Sequence, residues 1–422
     1  MIINTMNNTV KKNILLLIPN LGFGGAQRVF HDHSVELAKN YNVTEVVFNL
    51  DGGNMYPSQN ELVSLEVAGG GNFLNKMRNM WSRIMLLKAV KHRLRIDVSI
   101  SHLEGADYVN LLSNGTEKVI FCVHGSKLHD RNIKGALGWI RQQVFIPVLY
   151  RRVSRIVTVS AGIRDELVNI LGLPAHKVEV INNFFDDESI LQQAAIEPPA
   201  LYSEVLANYP VIATAGRFAP EKNLLALLDV FALVRQRIPQ CKLFLVGHGE
   251  QYPALLDRCR TLQLLTYVPE QAAAEINAAA VILTGFQNNP HSFIARATVF
   301  VLPSLNEGFP MALGEAMICS RAVVASDCQT GPREILAPRT TMPTLPIRQA
   351  EKAEFGMLMP IINQNNTLLA DQCIWSDTLC SMLNDAPEQE RLGNLANQRM
   401  QDFTREKIFR KWVSIIEDSL VN

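Results

Sequence analysis

The densest chemistry in this chain lies in Pro303-Ser304-Leu305-Asn306-Glu307-Gly308-Phe309-Pro310-Met311-Ala312-Leu313-Gly314-Glu315, where seven residues separate two glutamates. An apolar run at 298–302 leads into the Gly-Phe-Pro turn, and Pro310 suits a first helical position. Glu307 is therefore predicted in the turn and Glu315 about a turn and a half into a helix. Free N–H groups of Gly308, Phe309, Met311 and Ala312 can then take sugar or phosphate oxygens, while the carboxylates take sugar or ribose hydroxyls. A second candidate is Ala215-Gly216-Arg217-Phe218-Ala219-Pro220-Glu221-Lys222-Asn223. Arg217 and Lys222 would put a forked donor and a point charge at one loop, which suits a diphosphate, although two solvated surface cations would read the same. Val246-Gly247-His248-Gly249-Glu250 repeats the arrangement more weakly. A third is Gly22-Phe23-Gly24-Gly25-Ala26-Gln27. It fails as a dinucleotide fingerprint because Gln27 stands where a third glycine is needed. Its N–H groups can face an anion, or the glycines can simply serve a tight turn.

These residues need strands and helices to hold them. Apolar or β-branched runs at 13–18, 43–48, 97–101, 118–123, 155–159 and 178–181 alternate with helical-period segments, the pattern of a parallel sheet with crossover helices. It stops after Ile181 and resumes at 211–215, 243–246, 281–284, 298–302, 322–326 and 356–359. The chain is thus expected to be α/β, with two Rossmann-like sheets facing across a cleft and ligands beyond the carboxyl ends of the strands. The expected division is a first domain at 1–185, a polar, proline-bearing linker at 186–209, a second domain at 210–402, and a final helix at 403–422 packing back on the first.

Forty basic and forty acidic residues over 422 positions give zero net charge, which excludes the overall basic excess of a nucleic-acid binder. Up to Asp165, however, 20 basic residues face 12 acidic ones. The stretches 76–95 and 131–164 each carry seven Lys or Arg and no acid, interleaved with Met77, Met80, Trp81, Trp139 and Phe145. Such faces, with Arg83, Lys88, Lys91 and Arg95 in the first, suit an anionic membrane surface, or else are core-packing helices with solvated outer faces. Seven scattered cysteines without a CxxC argue against a metal knuckle or disulfide framework, and no run is long enough to span a bilayer. A reducing cytosol is the expected compartment.

Glu307-x7-Glu315, with Gly216-Arg217-Phe218-Ala219-Pro220-Glu221-Lys222-Asn223 upstream and Ser326-Asp327-Cys328-Gln329-Thr330-Gly331-Pro332-Arg333-Glu334 downstream, resembles the retaining glycosyltransferases of family 4, which have the GT-B fold. The downstream string resembles members that extend lipid-linked oligosaccharides for bacterial O-antigen, capsule or glycoprotein glycans. The resemblance implies that the second domain holds a nucleotide sugar and the first an acceptor. It implies that Arg217 and Lys222 bind the donor diphosphate, that Glu307 meets the transferred sugar, and that Glu315 meets the ribose. Gly24 and Gly25 correspond to a front loop closing on phosphate and acceptor, and His124 to an active-site histidine near the donor sugar. Phe286 and Gln287, in Gly285-Phe286-Gln287-Asn288-Asn289-Pro290, match a loop beside the nucleobase. No Asp-x-Asp occurs, so cations are expected in place of a metal clamp and no cofactor is called for. The implied function is transfer of a hexose or N-acetylhexosamine from a nucleotide sugar, UDP favoured, to a polyprenyl-diphosphate-linked glycan at the inner face of the plasma membrane. A GDP-mannose-dependent enzyme, a sugar-nucleotide epimerase and a silent binding subunit are the alternatives.

Overall fold

In a computed structural model, residues 11–128, 135–272, 275–341, 343, 346–362 and 368–421 are described. The chain forms two units: 1–159, 163–181 and 409–422 cluster as the first, and 160–162 with 182–408 as the second.

The first unit is built on seven parallel strands: β1 (Asn13–Ile18), β2 (Asn42–Val47), β3 (Glu61–Ser64), β4 (Val98–His102), β5 (Lys118–Val123), β6 (Arg155–Thr158) and β7 (Val178–Val180), in the order β3-β2-β1-β4-β5-β6-β7. β1 pairs with β2 on one side and β4 on the other, so the winding reverses there. Sheets of this kind place ligands at that reversal. Ile14 through Ile18 are fully buried, as a central strand covered on both faces must be. One face packs Leu15, Leu17 and Val46 against Ile84 and Leu87 of the helix Phe73–Leu94.

The second unit repeats the plan with β8 (Val211–Ala215), β9 (Lys242–Val246), β10 (Thr266–Tyr267), β11 (Val281–Leu283), β12 (Val299–Leu302), β13 (Ala322–Ser326), β14 (Glu351–Ala353) and β15 (Gly356–Met359). The order is β10-β11-β9-β8-β12-β13-β15-β14, with only β14 antiparallel. Here the winding reverses between β8 and β12, the two strands that lead into Arg217 and Glu307.

The sequence pattern located the inner strands to within a residue or so and missed β3, β10 and β14. These are short edge strands, and an edge lacks the two-sided apolar burial that marks an inner strand. The linker at 186–209 is corrected. That stretch holds two helices of the second unit, Asp187–Ala195 and Ala200–Asn208. Asp186 caps the first by accepting from the Ser189 N–H at 3.2 Å, and Ile190 and Ala194 are buried. Tyr202, Val205 and Leu206 of the second pack with Phe244 and Phe293. The acidic run and the proline pair that read as linker are helix-start signals: carboxylates in a first turn and proline just before one. The boundaries move accordingly. Residues 182–185 and 403–408 belong to the second unit, and the helix Arg405–Val421 joins the first from Phe409 onward.

Candidate functional site

In the second unit the turns after three strands are tied together. Gly216 N–H donates to Val246 O (3.0 Å), Phe218 N–H to His248 O (3.0 Å), and Gly247 N–H to Gly285 O (3.1 Å). Gly247 has φ +141°, and a Cβ there would lie 2.0 Å from Gly216 O, so only glycine permits this approach. The weaker Gly-His-Gly string is thereby a scaffold for the Arg217 loop. The second proline turn is held similarly. Gly331, at φ +91°, lies where a Cβ would come within 2.6 Å of Pro310 Cδ, and Thr330 Oγ1 donates to Glu307 O. Arg333 anchors that downstream string to Asp327 at 2.6 Å and Glu351 at 2.7 Å.

On this frame Lys222 Nζ donates to Glu307 Oε1 at 2.7 Å, and Ser304 Oγ donates to the same oxygen at 2.6 Å. The Glu307 side chain is 9% exposed and that of Lys222 27%, so the pair is partly shielded yet reachable. Arg217 stands beside them in a half-exposed pair with Glu221, 2.8 Å away, and lines a small crevice with Gly216, Lys222, Pro303 and Ser304. Pro310 caps the helix Met311–Ile318 and precedes its first residue, one position earlier than expected. Met311 and Ala312 open the helix, and their N–H groups are among those that a helix leaves without intrahelical partners. Phe309 is buried, its ring against Phe185 and Phe403, so only its backbone is available to a ligand. Glu315 lies 3.6 Å from His291 Nε2, and His291 Nδ1 meets Gln193 Oε1 at 2.9 Å. Gln193 sits in the stretch misread as linker, so sequence reasoning had no signal for it. Ser304 was legible within the motif and was passed over. Phe286 is 46% exposed, and Gln287 Nε2 donates to Thr284 O at 2.8 Å.

In the first unit Gly24 caps the helix Gly25–Leu37 with extended backbone, and none of Gly22, Gly24 and Gly25 is left-handed. A Cβ on Gly25 would meet nothing within 4 Å. Left-handed backbone therefore does not account for these glycines: Gly25 leaves the helix N-terminus open, whereas a Cβ on Gly24 would lie 2.3 Å from Gln27 Oε1. His124 follows β5, half-buried, and its Nε2 lies 2.8 Å from Nδ1 of the fully buried His102 at the end of β4. His102 meets the rings of Phe30 and His33 edge-on, each at 5.3 Å, and His33 meets Trp412. Burial lowers His33 and His124 to about 3, His33 also feeling His124 and His124 feeling Lys127. Asp107, buried and bonded by Ser101 and Tyr150, is pushed up to about 7 by burial. Glu104 ends near 2 because Arg141 and Lys127 outweigh its own burial. Among the described residues, ligand atoms of His33, His102 and Cys122 lie within 4.8 Å of one another, but the aromatic rings around them make a packed core of that group.

The proposed membrane patch is half corrected. Lys91 is 4% exposed, paired with Glu117 at 2.7 Å and donating to Asn110 O at 2.8 Å. Arg83 donates to Val67 O and Ala68 O and lies over the Phe48 ring. Both are internal ties, because their helical phase turns them toward the sheet. Lys88 and Arg95 are exposed, as are Leu74, Met77, Trp81 and Met85, which with Lys88 and His92 form one stripe at three- and four-residue spacing. Arg131 and Lys134 of the second basic stretch lie outside the described residues or side chains, and Arg141 is buried on Glu104. Among the described residues no helix is long and apolar enough to cross a membrane.

Each unit is thus a doubly wound α/β sheet, and the second carries a cation–carboxylate group where its winding reverses. Residues 23–189 match the family model Glycosyltransferase Family 4 and residues 209–355 match Glycosyl transferases group 1. The chain belongs to the glycosyltransferases of family 4, with the GT-B fold. It is 27% identical over 254 residues to an uncharacterized glycosyltransferase of Methanocaldococcus jannaschii, covering 58% of this chain and 59% of that protein, so the chain spans about three fifths of that relative's length. It is 26% identical over 401 residues to the Campylobacter jejuni N-acetylgalactosamine-N,N'-diacetylbacillosaminyl-diphospho-undecaprenol 4-alpha-N-acetylgalactosaminyltransferase, covering 94% of this chain and 96% of that one. The crystal structure of Anabaena Alr3699/HepE with UDP and glucose shares the fold, with TM-score 0.70 at 16% identity over 96% of this chain and 99% of that one.

Proposed function

We propose that this chain is a retaining, metal-independent glycosyltransferase. It moves a hexose or N-acetylhexosamine from a nucleotide sugar, with UDP as the favoured carrier, to a polyprenyl-diphosphate-linked glycan in bacterial surface-polysaccharide synthesis. The observation that carries this reading is Lys222 and Ser304 converging on one oxygen of Glu307, beside Arg217 and the start of a helix. Lys222 and Arg217 offset the charge that develops on the diphosphate as the bond from sugar C1 to phosphate oxygen breaks. The N–H groups of Gly308, Phe309, Met311 and Ala312 take further oxygens. Glu307 holds a sugar hydroxyl through its second oxygen, and Glu315, steadied by His291, holds the ribose. The acceptor hydroxyl bonds C1 from the face the phosphate leaves, and its proton passes to the departing phosphate. His124, Gly24 and Gly25 serve the transferred sugar and acceptor from the first unit, while Phe286 and Gln287 border the base.

The Campylobacter relative's diphospho-undecaprenol substrate supports a lipid-linked acceptor. The exposed stripe Leu74, Met77, Trp81 and Met85, continuing into Lys88, supports peripheral binding to the anionic inner face of the plasma membrane. The deciding experiment supplies UDP- and GDP-linked sugars with and without a polyprenyl-diphosphate glycan and follows nucleoside diphosphate release and the product's anomeric configuration. Acceptor-dependent release with UDP-sugar, retention, and activity in chelator are expected. Preference for GDP-mannose would replace the donor, release without acceptor would favour another sugar-nucleotide enzyme, and binding without turnover would favour a silent subunit. Inverted product or activity restored only by magnesium would remove the mechanism.

A further inference from the structure

Two buried features meet at His124. Its Nε2 is 2.8 Å from His102 Nδ1, close enough that one ring must donate to the other. His102 is fully buried, and its second nitrogen, Nε2, has no hydrogen-bond partner. A neutral imidazole carries one proton, so the partnerless atom decides where it sits. Were it on His102 Nε2, an N–H donor would be orphaned inside the core, which folded proteins rarely tolerate. A bare lone pair there orphans no donor, and ligand atoms of His102, Cys122 and His33 lie within 4.8 Å of one another. Burial keeps the Cys122 thiol protonated by pushing it well above its ordinary value, so no thiolate competes for a proton there.

We propose that His102 is a positioning residue whose Nδ1–H donates to His124 Nε2, fixing His124 as the neutral tautomer protonated at Nδ1. His124 then presents an N–H donor, and no acceptor, to an oxygen of the bound substrates. Burial lowers both rings, so neither takes a second proton near neutrality to disturb the arrangement. The edge-on rings of Phe30 and His33 hold the plane of His102 and hence the direction of the bond.

The substrate side of this inference rests on the glycosyl-transfer reading, but its test does not. Nitrogen NMR of histidine-labelled protein, with the His124 resonances assigned by their loss in His124→Asn, should show Nδ1 protonated and Nε2 bare between pH 6 and 8. Protonation at Nε2 would overturn the proposal. In transfer assays His102→Leu should lower kcat about tenfold, the rate equivalent of one hydrogen bond, with donor KM unchanged. His102→Asn, whose amide N–H can stand near the lost Nδ1–H, should recover most of the rate. Equal loss in both variants, or none in His102→Leu, would also overturn it. A wild-type protein without turnover would sink the glycosyl-transfer reading, and the spectrum would still decide the tautomer.

Discussion

The carboxyl ends of the two sheets are chemically opposite. In the second unit the strand ends carry ions: Lys222 on Glu307, Arg217 on Glu221, each at least partly open to solvent. In the first unit the ends of β4 and β5 carry His102 and His124, held uncharged by burial, beside Asp107, pushed up to about 7, and the Cys122 thiol, kept protonated; the ions there, Glu104 with Arg141 and Lys127, are shielded from solvent among themselves. The same architecture thus yields one end suited to an anion and one suited to directing hydrogen bonds without charge. Fold alone does not choose between these chemistries; a few side chains do.

The contrast breaks most visibly at Lys222. Lys222→Ala removes the cation proposed to face the diphosphate and also strands a Glu307 carboxylate that is only 9% exposed. Turnover should fall about 100-fold or more, the scale of losing a charge-stabilising donor. Arg217 is half exposed, so Arg217→Ala should cost about 1.5 kcal/mol of donor affinity, the low end for a charge-assisted contact. Calorimetry with nucleoside diphosphate and initial rates read both. Glu307→Ala should lower turnover more than diphosphate affinity, and Glu315→Ala the reverse; matching profiles would erase the assignment of sugar and ribose.

The next effect is on stability. Lys91→Gln leaves Glu117 buried and unpaired, so it should cost about 3–5 kcal/mol in urea unfolding. Lys88→Gln on the same helix should change stability by less than about 0.5 kcal/mol. Equal effects would mean that Lys91 does not face the sheet.

A smaller effect sharpens the neutral character of the first unit. His33 and His124 hold about 3 when folded against an ordinary 6.5, so between those values the unfolded chain binds protons that the folded unit refuses. Stability from this source falls as pH drops below about 6.5. Asp107 acts in the opposite sense. Its folded value of about 7 against 3.8 means that stability is lost as pH rises through that window. Asp107→Asn cannot ionise, so its unfolding midpoint relative to wild type should climb from pH 4 to pH 8. A constant difference would show that Asp107 is not held protonated.

What the sequence disclosed follows from where signals are local. The inner strands and the Glu307 and Arg217 strings were readable because each lies in one contiguous segment with a period or a turn of its own. The helices at 187–208 were not, because their acidic start and prolines read as breakers until Ile190, Tyr202 and Leu206 are seen to be buried. His102, His291 and Gln193 act through partners distant in sequence, 22 residues away for His102 and His124 and 98 for Gln193 and His291. Helical phase likewise separates the basic residues at 76–95: seven look alike in sequence, yet burial turns Arg83 and Lys91 inward.

That separation makes the last test a narrow one. The exposed stripe of the helix Phe73–Leu94 has its apolar part at Leu74, Met77, Trp81 and Met85 and its cationic part from Lys88 onward. If it lies on an anionic bilayer, each exposed cation contributes about 1 kcal/mol near the surface, a contribution that salt screens, whereas Trp81, 65% exposed, contributes by burial that salt leaves intact. Lys88→Gln with Arg95→Gln should therefore lower binding to phosphatidylglycerol vesicles at low salt and matter little at high salt. Trp81→Ser should lower it at both. Donor binding, proposed for the second unit, should not change in any of these variants. Vesicle binding of all variants equal to wild type would leave the stripe solvated and the first unit without its proposed lipid contact, and an effect of the charge variants that persists at high salt would assign Lys88 and Arg95 to a contact other than the bilayer surface.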